Sequence, residues 1–212
     1  MKTGNSLIVT DLGFRYPQKT LWENINFTAS AGSFIALRGH SGSGKTTLLQ
    51  CLGGLETPTE GSIKVNGLNP TTLKGHQKQN FLRTQVSFAF QNSGLVASWS
   101  VRQNLDIAGY SVAQHEAEVR TVFERFSLPY SHLDRPVFQL SGGEQQRVGL
   151  IRLALRKTPL VLLDEPTAAL DDANTTRVID FVTHHCTHGG IAVIATHDPR
   201  LVEHADTSIL LG

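Results

Sequence analysis

Ser33-Phe34-Ile35-Ala36-Leu37-Arg38-Gly39-His40-Ser41-Gly42-Ser43-Gly44-Lys45-Thr46 is the stretch that decides the fold. Ser33 to Arg38 reads as a buried strand, and a helix is expected from about Lys45 to Leu52. Between them Gly39 to Thr46 fits the pattern G-x-x-x-x-G-K-[ST], in the strand-to-helix setting that the pattern requires. Glycines there let the backbone turn tightly and aim its N–H groups inward, while the helix start adds partial positive charge, so the turn is built to cradle a phosphate chain. Lys45 is expected to reach the outer phosphates and the Thr46 hydroxyl to ligate Mg²⁺, with Thr47 following in the same helical turn. A plain Gly/Ser-rich connection is the rival reading, and the agreement of residue types and context over the whole motif outweighs it.

Outward from this turn, short apolar runs alternate with segments of helical period, the pattern of an α/β chain with a largely parallel sheet. Leu160 to Leu163, Ile191 to Thr196 and Ser208 to Leu211 read as further strands, with a helix from about Ala173 to His185. Ser6 to Thr10, Leu21 to Thr28 and Ser62 to Val65 predict a small N-terminal antiparallel layer, punctuated at Tyr16-Pro17, Ala31-Gly32 and Asn66-Gly67. From Asn92 to Lys157 helical segments dominate, notably Val112 to Phe126 and Glu144 to Arg156. The chain is therefore expected to form one unit, with residues 1–91 and 158–212 as core and β layer and 92–157 as an inserted helical subdomain.

Composition narrows the setting. The 212 residues suffice to bury a core without disulfide staples. Lys and Arg total 19 against 18 Asp and Glu, a net charge of +1 that offers no global field for nucleic acid. The apolar runs are strand-sized, far short of a bilayer span. The start lacks a secretory pattern, and two cysteines, Cys51 and Cys186, make no disulfide framework, so a reducing cytoplasm is expected.

Val161-Leu162-Leu163-Asp164-Glu165 is an apolar strand ending in two carboxylates, at the sheet edge where open α/β folds bind ligands. Asp164 is expected to hold Mg²⁺ through water and Glu165 to polarise an attacking water. Consecutive strand residues point to opposite faces, so the acids serve different sites only if the chain leaves strand geometry at Glu165. Pro166 directly after it favours such a break.

Leu140-Ser141-Gly142-Gly143-Glu144 carries a Ser-x-x-Glu capping box ahead of a helix. Capping does not need adjacent glycines, which lower helix propensity by about 1 kcal/mol each. Bare backbone at that position suits the close approach of an anion. With Gln145-Gln146-Arg147 following, this segment resembles the signature of the ATP-binding-cassette (ABC) ATPases, and the resemblance covers essentially the whole chain. It implies a P-loop nucleotidase with a RecA-like core. It also implies ATP and Mg²⁺ as ligands, and a dimer in which Ser141, Gly142, Gly143 and Glu144 of one copy face the ATP held by the other. Further roles follow from the likeness. Tyr16 would stack on adenine, Gln91 would touch Mg²⁺ and report to a membrane subunit, Asp171 would lie in the loop crossing the dimer interface, and His197 would contact the γ-phosphate and orient Glu165. Ala168 stands where Ser is usual in that loop.

Residues 53–67 and the segment from Leu73 through Arg83 to Gln91 resemble the short cassettes that serve macrolide, lipoprotein and haem exporters and cell-division complexes. The likeness implies integral membrane permease partners and a peripheral location on the cytoplasmic face of the membrane. With the chain ending soon after His197, the regulatory C-terminal domain of many sugar-importer ATPases is not expected. Gly149, Arg152 and Ser98-Trp99-Ser100 depart from the pattern, and Trp99 is either a membrane-subunit contact or a core aromatic. A soluble ABC ATPase and a mechanical module that moves no cargo remain alternatives. His184-His185-Cys186-Thr187-His188 invites a metal or haem reading, but it falls at a helix end before Gly189-Gly190, where histidines suit the helix dipole.

Overall fold

The computed structural model describes residues 4–89, 94–168 and 170–212. In chain order its elements are β1 (Ser6–Tyr16), β2 (Lys19–Ser30), β3 (Phe34–Arg38), α1 (Lys45–Leu52), β4 (Glu60–Val65), α2 (Gly75–Thr84), β5 (Val86–Ala89), α3 (Val101–Asp106), α4 (Glu116–Arg125), α5 (Gly142–Arg156), β6 (Leu160–Asp164), α6 (Asp172–Thr187), β7 (Ile191–Ala195), α7 (Pro199–Glu203) and β8 (Thr207–Leu210). Short 3₁₀ turns lie at Tyr130–His132 and Val137–Gln139.

Two sheets result. β2-β1-β4 is antiparallel, and β5-β6-β7-β3-β8 is parallel throughout. Strand alternation divides the core between the two faces of the parallel sheet. Val161 and Leu163 of β6, with Ala192 and Ile194 of β7, pack under α5, α6 and the helical stretch before them. Leu160, Leu162, Ile191 and Val193 face α1 and the antiparallel layer. Every residue of β6 and β7 is buried, which is why both read as unbroken apolar runs. Their carboxyl ends therefore emerge side by side, next to the turn between β3 and α1.

Two expectations needed adjustment, and one helix had not been foreseen. β1 and β2 extend well beyond Ser6 to Thr10 and Leu21 to Thr28, because register shifts between Val9 and Leu12, Leu12 and Phe14, and Phe14 and Arg15 break the alternation that marks a strand. α4 begins at Glu116 rather than Val112. The Val112 N–H is taken by Asp106 Oδ1 at 2.9 Å, outside any helix, and the side chain still reaches the core. α2 had no sequence forecast, since Phe81 is its one buried side chain and no apolar period shows. β5 is described to Ala89, and Gln91, expected to touch Mg²⁺, lies with Phe90 outside the described residues.

Candidate functional site

The turn between β3 and α1 delivers a helix start with no side-chain cap and no acid in its first turn. Its N-cap is Gly44 at φ +90°, a left-handed conformation, and a Cβ there would lie 2.6 Å from Trp22 Nε1. The indole nitrogen donates to Gly44 O at 3.3 Å, so the antiparallel layer braces the turn. Uncapped N–H groups at a helix N-terminus are an anion site. Lys45, 8% exposed, is held above it by donating to Gly39 O at 2.8 Å and His40 O at 3.2 Å.

The two acids of the β6 end part company as the sequence required. β6 stops at Asp164, and Glu165 adopts φ +48°, in the left-handed region uncommon for non-glycine residues. Its N–H donates to Ala195 O at 2.8 Å, which fixes the break against β7. Asp164 then accepts the Thr46 hydroxyl at 2.7 Å, whereas Glu165 turns toward His197. His197 donates its backbone N–H to Glu165 Oε2 at 3.3 Å. Its Nε2 lies 3.2 Å from Glu165 Oε1, within ion-pair range though off line for a hydrogen bond. The same Nε2 is 3.5 Å from Lys45 Nζ.

These groups surround a cavity of about 970 Å³ lined by Tyr16, Ser41 to Thr47, Asp164, Glu165 and His197. Tyr16, 52% exposed at the end of β1, is supported edge-on by Phe14 at 5.3 Å between ring centroids. Gly39 and His40 instead border an adjoining hollow that shares His197. A nucleotide with Mg²⁺ fits the residues present: the first turn of α1 is uncapped, Ser43 Oγ and Glu165 Oε1 are buried without hydrogen-bond partners, and Thr46 with Asp164 supplies the hard oxygens that Mg²⁺ prefers.

The wall also holds residues that sequence reasoning passed over. Thr167, Asp198 and Arg200 line the cavity. Asp198 caps α7 ahead of Pro199 and receives Arg200 Nη2 at 2.7 Å, while Arg200 Nη1 reaches Asp172 at 2.6 Å. The hydrogen bond from Arg200 holds the Asp198 carboxyl below its usual range and pushes the guanidinium up. The Asp-Pro pair after His197, a standard helix opening, was the available signal.

Ser141 to Glu144 do not line the cavity. Ser141 caps α5: its Oγ accepts from Glu144 N–H at 3.3 Å, and Glu144 Oε2 accepts from Ser141 N–H at 2.8 Å. That backbone bond, joined by the Ser141 hydroxyl, holds the Glu144 carboxyl below its ordinary range. Farther along, Gln146 Nε2 donates to Pro166 O and Arg147 to Asn174 Oδ1 at 3.1 Å, tying α5 to the loop after Glu165 and to α6. Asp171 is the N-cap of α6, accepting from Asn174 N–H at 2.8 Å. Trp99 is half-buried, its carbonyl accepting from Val137 N–H at 2.9 Å. Among the described residues no three His, Cys, Asp or Glu side chains converge as a metal group, and no helix is long and apolar enough to cross a membrane.

Comparison with known proteins agrees with this geometry. The profile of the family described as "ABC transporter" matches residues 22–168. A hemin import ATP-binding protein, HrtA, from Staphylococcus haemolyticus is 38% identical over 196 residues, covering 91% of this chain and 88% of the relative. The syringafactin export ATP-binding/permease protein SyfD of Pseudomonas syringae pv. syringae is 34% identical over 190 residues, 88% of this chain but 29% of that protein. In shape the chain is similar to the ATP-binding cassette MJ0796, solved as a dimer bound to ADP and Pi, with a TM-score of 0.88 at 24% identity over 97% of this chain and 94% of the other. The chain belongs to the ABC transporter family, as an ATP-binding cassette of its ATPase fold.

Proposed function

We propose that this chain is the ATP-hydrolysing subunit of a membrane exporter, working as a pair of cassettes docked on separate permease subunits at the cytoplasmic face of the membrane. What carries the reading is the division of labour at the β6 end, with Asp164 on Thr46 and Glu165 on His197 above Lys45. Tyr16 stacks on the adenine, and Ser41 to Thr47 with Gly39 and His40 wrap the phosphates. Thr46, Asp164 and Gln91 hold Mg²⁺, which when bound neutralises phosphate charge. Gln91 lies outside the described residues.

Glu165 acts as general base toward water, His197 positions it and meets the γ-phosphate, and Lys45 stabilises charge on the outer phosphates. Ser141 to Glu144 reach the ATP of the second copy, and Asp171 stands near the crossing. Favouring that arrangement, a Cβ added at Gly142 would meet nothing within 4 Å, so this chain's own packing gives no reason for the glycine. Val96 and Phe138, 41% and 62% exposed, offer apolar area beside the stretch expected to meet a permease. Export rests on the likeness of residues 53–67 to short exporter cassettes and on the SyfD relative, although the staphylococcal relative is named for import.

The test is Glu165→Gln. ATP binding is expected to persist, turnover to fall by roughly a hundredfold or more, and an ATP-dependent dimer to accumulate in light scattering. Retained turnover would refute the base assignment, and a persistent monomer with ATP bound would refute the shared site.

A further inference from the structure

Away from the nucleotide cavity, a hollow of about 560 Å³ opens where α4, the C-terminal end of α5 and α6 meet. Its basic groups come from all three elements. Arg125 ends α4, Lys157 caps α5, and His184, His185 and His188 close α6. Glu118 is the one carboxylate in the lining, and it is already engaged: Lys157 Nζ lies 2.5 Å from its Oε1, and the Tyr110 hydroxyl donates to its Oε2 at 2.5 Å.

The site is shaped as well as charged. Lys157 holds φ +49°, the left-handed C-cap conformation usually given to glycine or asparagine, so a cation is kept there at a backbone cost of about 1–2 kcal/mol. His185 stacks on Phe181 at 6.3 Å between centroids, and its Nε2 is buried without a hydrogen-bond partner. A side chain at residue 190 would collide with that ring, and Gly190 leaves it room. Val122, Leu153, Ala154 and Phe181 supply an apolar floor.

We propose that this hollow binds an amphipathic phosphomonoester, its phosphate held among Arg125, Lys157 and the α6 histidines and its apolar part on the floor. A guanidinium and an ammonium beside imidazoles recognise phosphate oxygens, and the volume suits a small ligand. The shared chemistry belongs both to a free phosphorylated metabolite and to a lipid headgroup. A metal is a poorer occupant, since no group of three metal-ligating side chains forms among the described residues.

Titration adds support. Burial lowers the pKa of His184, with Arg125 and His188 lowering it further, and burial also lowers His185. With the hollow empty, His184 and His185 are thus neutral near pH 7. A bound phosphate favours their charged forms, so binding takes up protons and tightens as pH falls toward 6. Hydrogen bonds from Lys157 and the Tyr110 hydroxyl hold the Glu118 carboxyl below its ordinary range, so it stays charged throughout.

The experiment is NMR on protein with labelled histidines and the nucleotide site saturated with ADP and Mg²⁺, titrated with phenyl phosphate and, separately, dihexanoyl phosphatidic acid. Saturable shifts of the His184 and His188 rings are expected, stronger at pH 6 than at pH 7.5. A response to both probes marks a free phosphomonoester, and a response to the lipid alone marks a headgroup. Lys157→Gly should weaken binding about tenfold or more without lowering the melting temperature, because glycine accepts the left-handed turn. Absence of saturable shifts with either probe overturns the proposal. So does wild-type affinity in both Lys157→Gly and Arg125→Gln.

Discussion

The starts of α1 and α5 both carry glycines, and they carry them for opposite reasons. At α1, Gly44 is required from within: its backbone is left-handed, and Trp22 fills the space a side chain would need. At α5, Gly142 has an ordinary backbone and open space around it, and a Cβ at Gly143 would meet only ordinary contacts, 3.7 Å from Arg147 and 3.9 Å from Leu170. The caps are reversed too. α1 has none, leaving its N–H groups for a ligand, whereas α5 closes its own with the reciprocal Ser141 and Glu144 pair. The fold itself demands glycine at α1, whereas packing within this chain gives no reason for the glycines that α5 carries at a cost in helix propensity.

Substitutions can break or sharpen that contrast. Lys45→Ala removes charged hydrogen-bond donors from the α1 cradle and should weaken nucleotide affinity about ten- to a hundredfold, read by calorimetry; unchanged affinity would mean that the cradle is not the binding site. Gly44→Ala forces a side chain against Trp22 in a left-handed turn and should cost about 1–3 kcal/mol in denaturant unfolding, whether or not nucleotide is added. Gly142→Ala should do the reverse at α5, gaining up to about 1 kcal/mol of stability while impairing nucleotide-dependent pairing; a loss of stability there would erase the distinction.

Acid should act on both regions, more gently. Glu144 and Asp198 have folded pKa values below their unfolded ones, so each contributes stability that is fully present above the ordinary carboxylate range and is lost as pH falls through the lowered value. Below about pH 4 the α5 cap and the Asp198–Arg200 clamp should loosen. Ser141→Ala should flatten part of the α5 acid response by removing the hydroxyl's share of what lowers Glu144, the backbone N–H bond remaining, as followed by the Glu144 carboxyl NMR shift.

Sequence reasoning located the α1 turn and the β6 acids because each is a local pattern with a local cause. It placed Asp171 in an interface loop, and the structure adds a capping role that Asn174, close by in the chain, supplies. It missed α2, whose lone buried Phe81 leaves no periodic trace, and Arg200, whose partner Asp172 lies 28 positions away. The histidines at the end of α6 were read as a helix terminus, and they are one. Their second aspect depends on Arg125 and Lys157 arriving from α4 and α5, which no spacing along α6 announces.

By itself, then, the sequence determined the strand, turn and helix around Lys45, the acidic end of β6 and the capped start of α5. Each follows from neighbouring residues through backbone sterics, alternation and capping. Tertiary structure alone decided that Thr46 meets Asp164 across 118 positions, that Lys45 and His197 come together across 152, and that a basic hollow closes behind α6. Those contacts exist because parallel strands bring distant chain segments out at one sheet edge, and packed helices crowd like charges that are far apart in sequence.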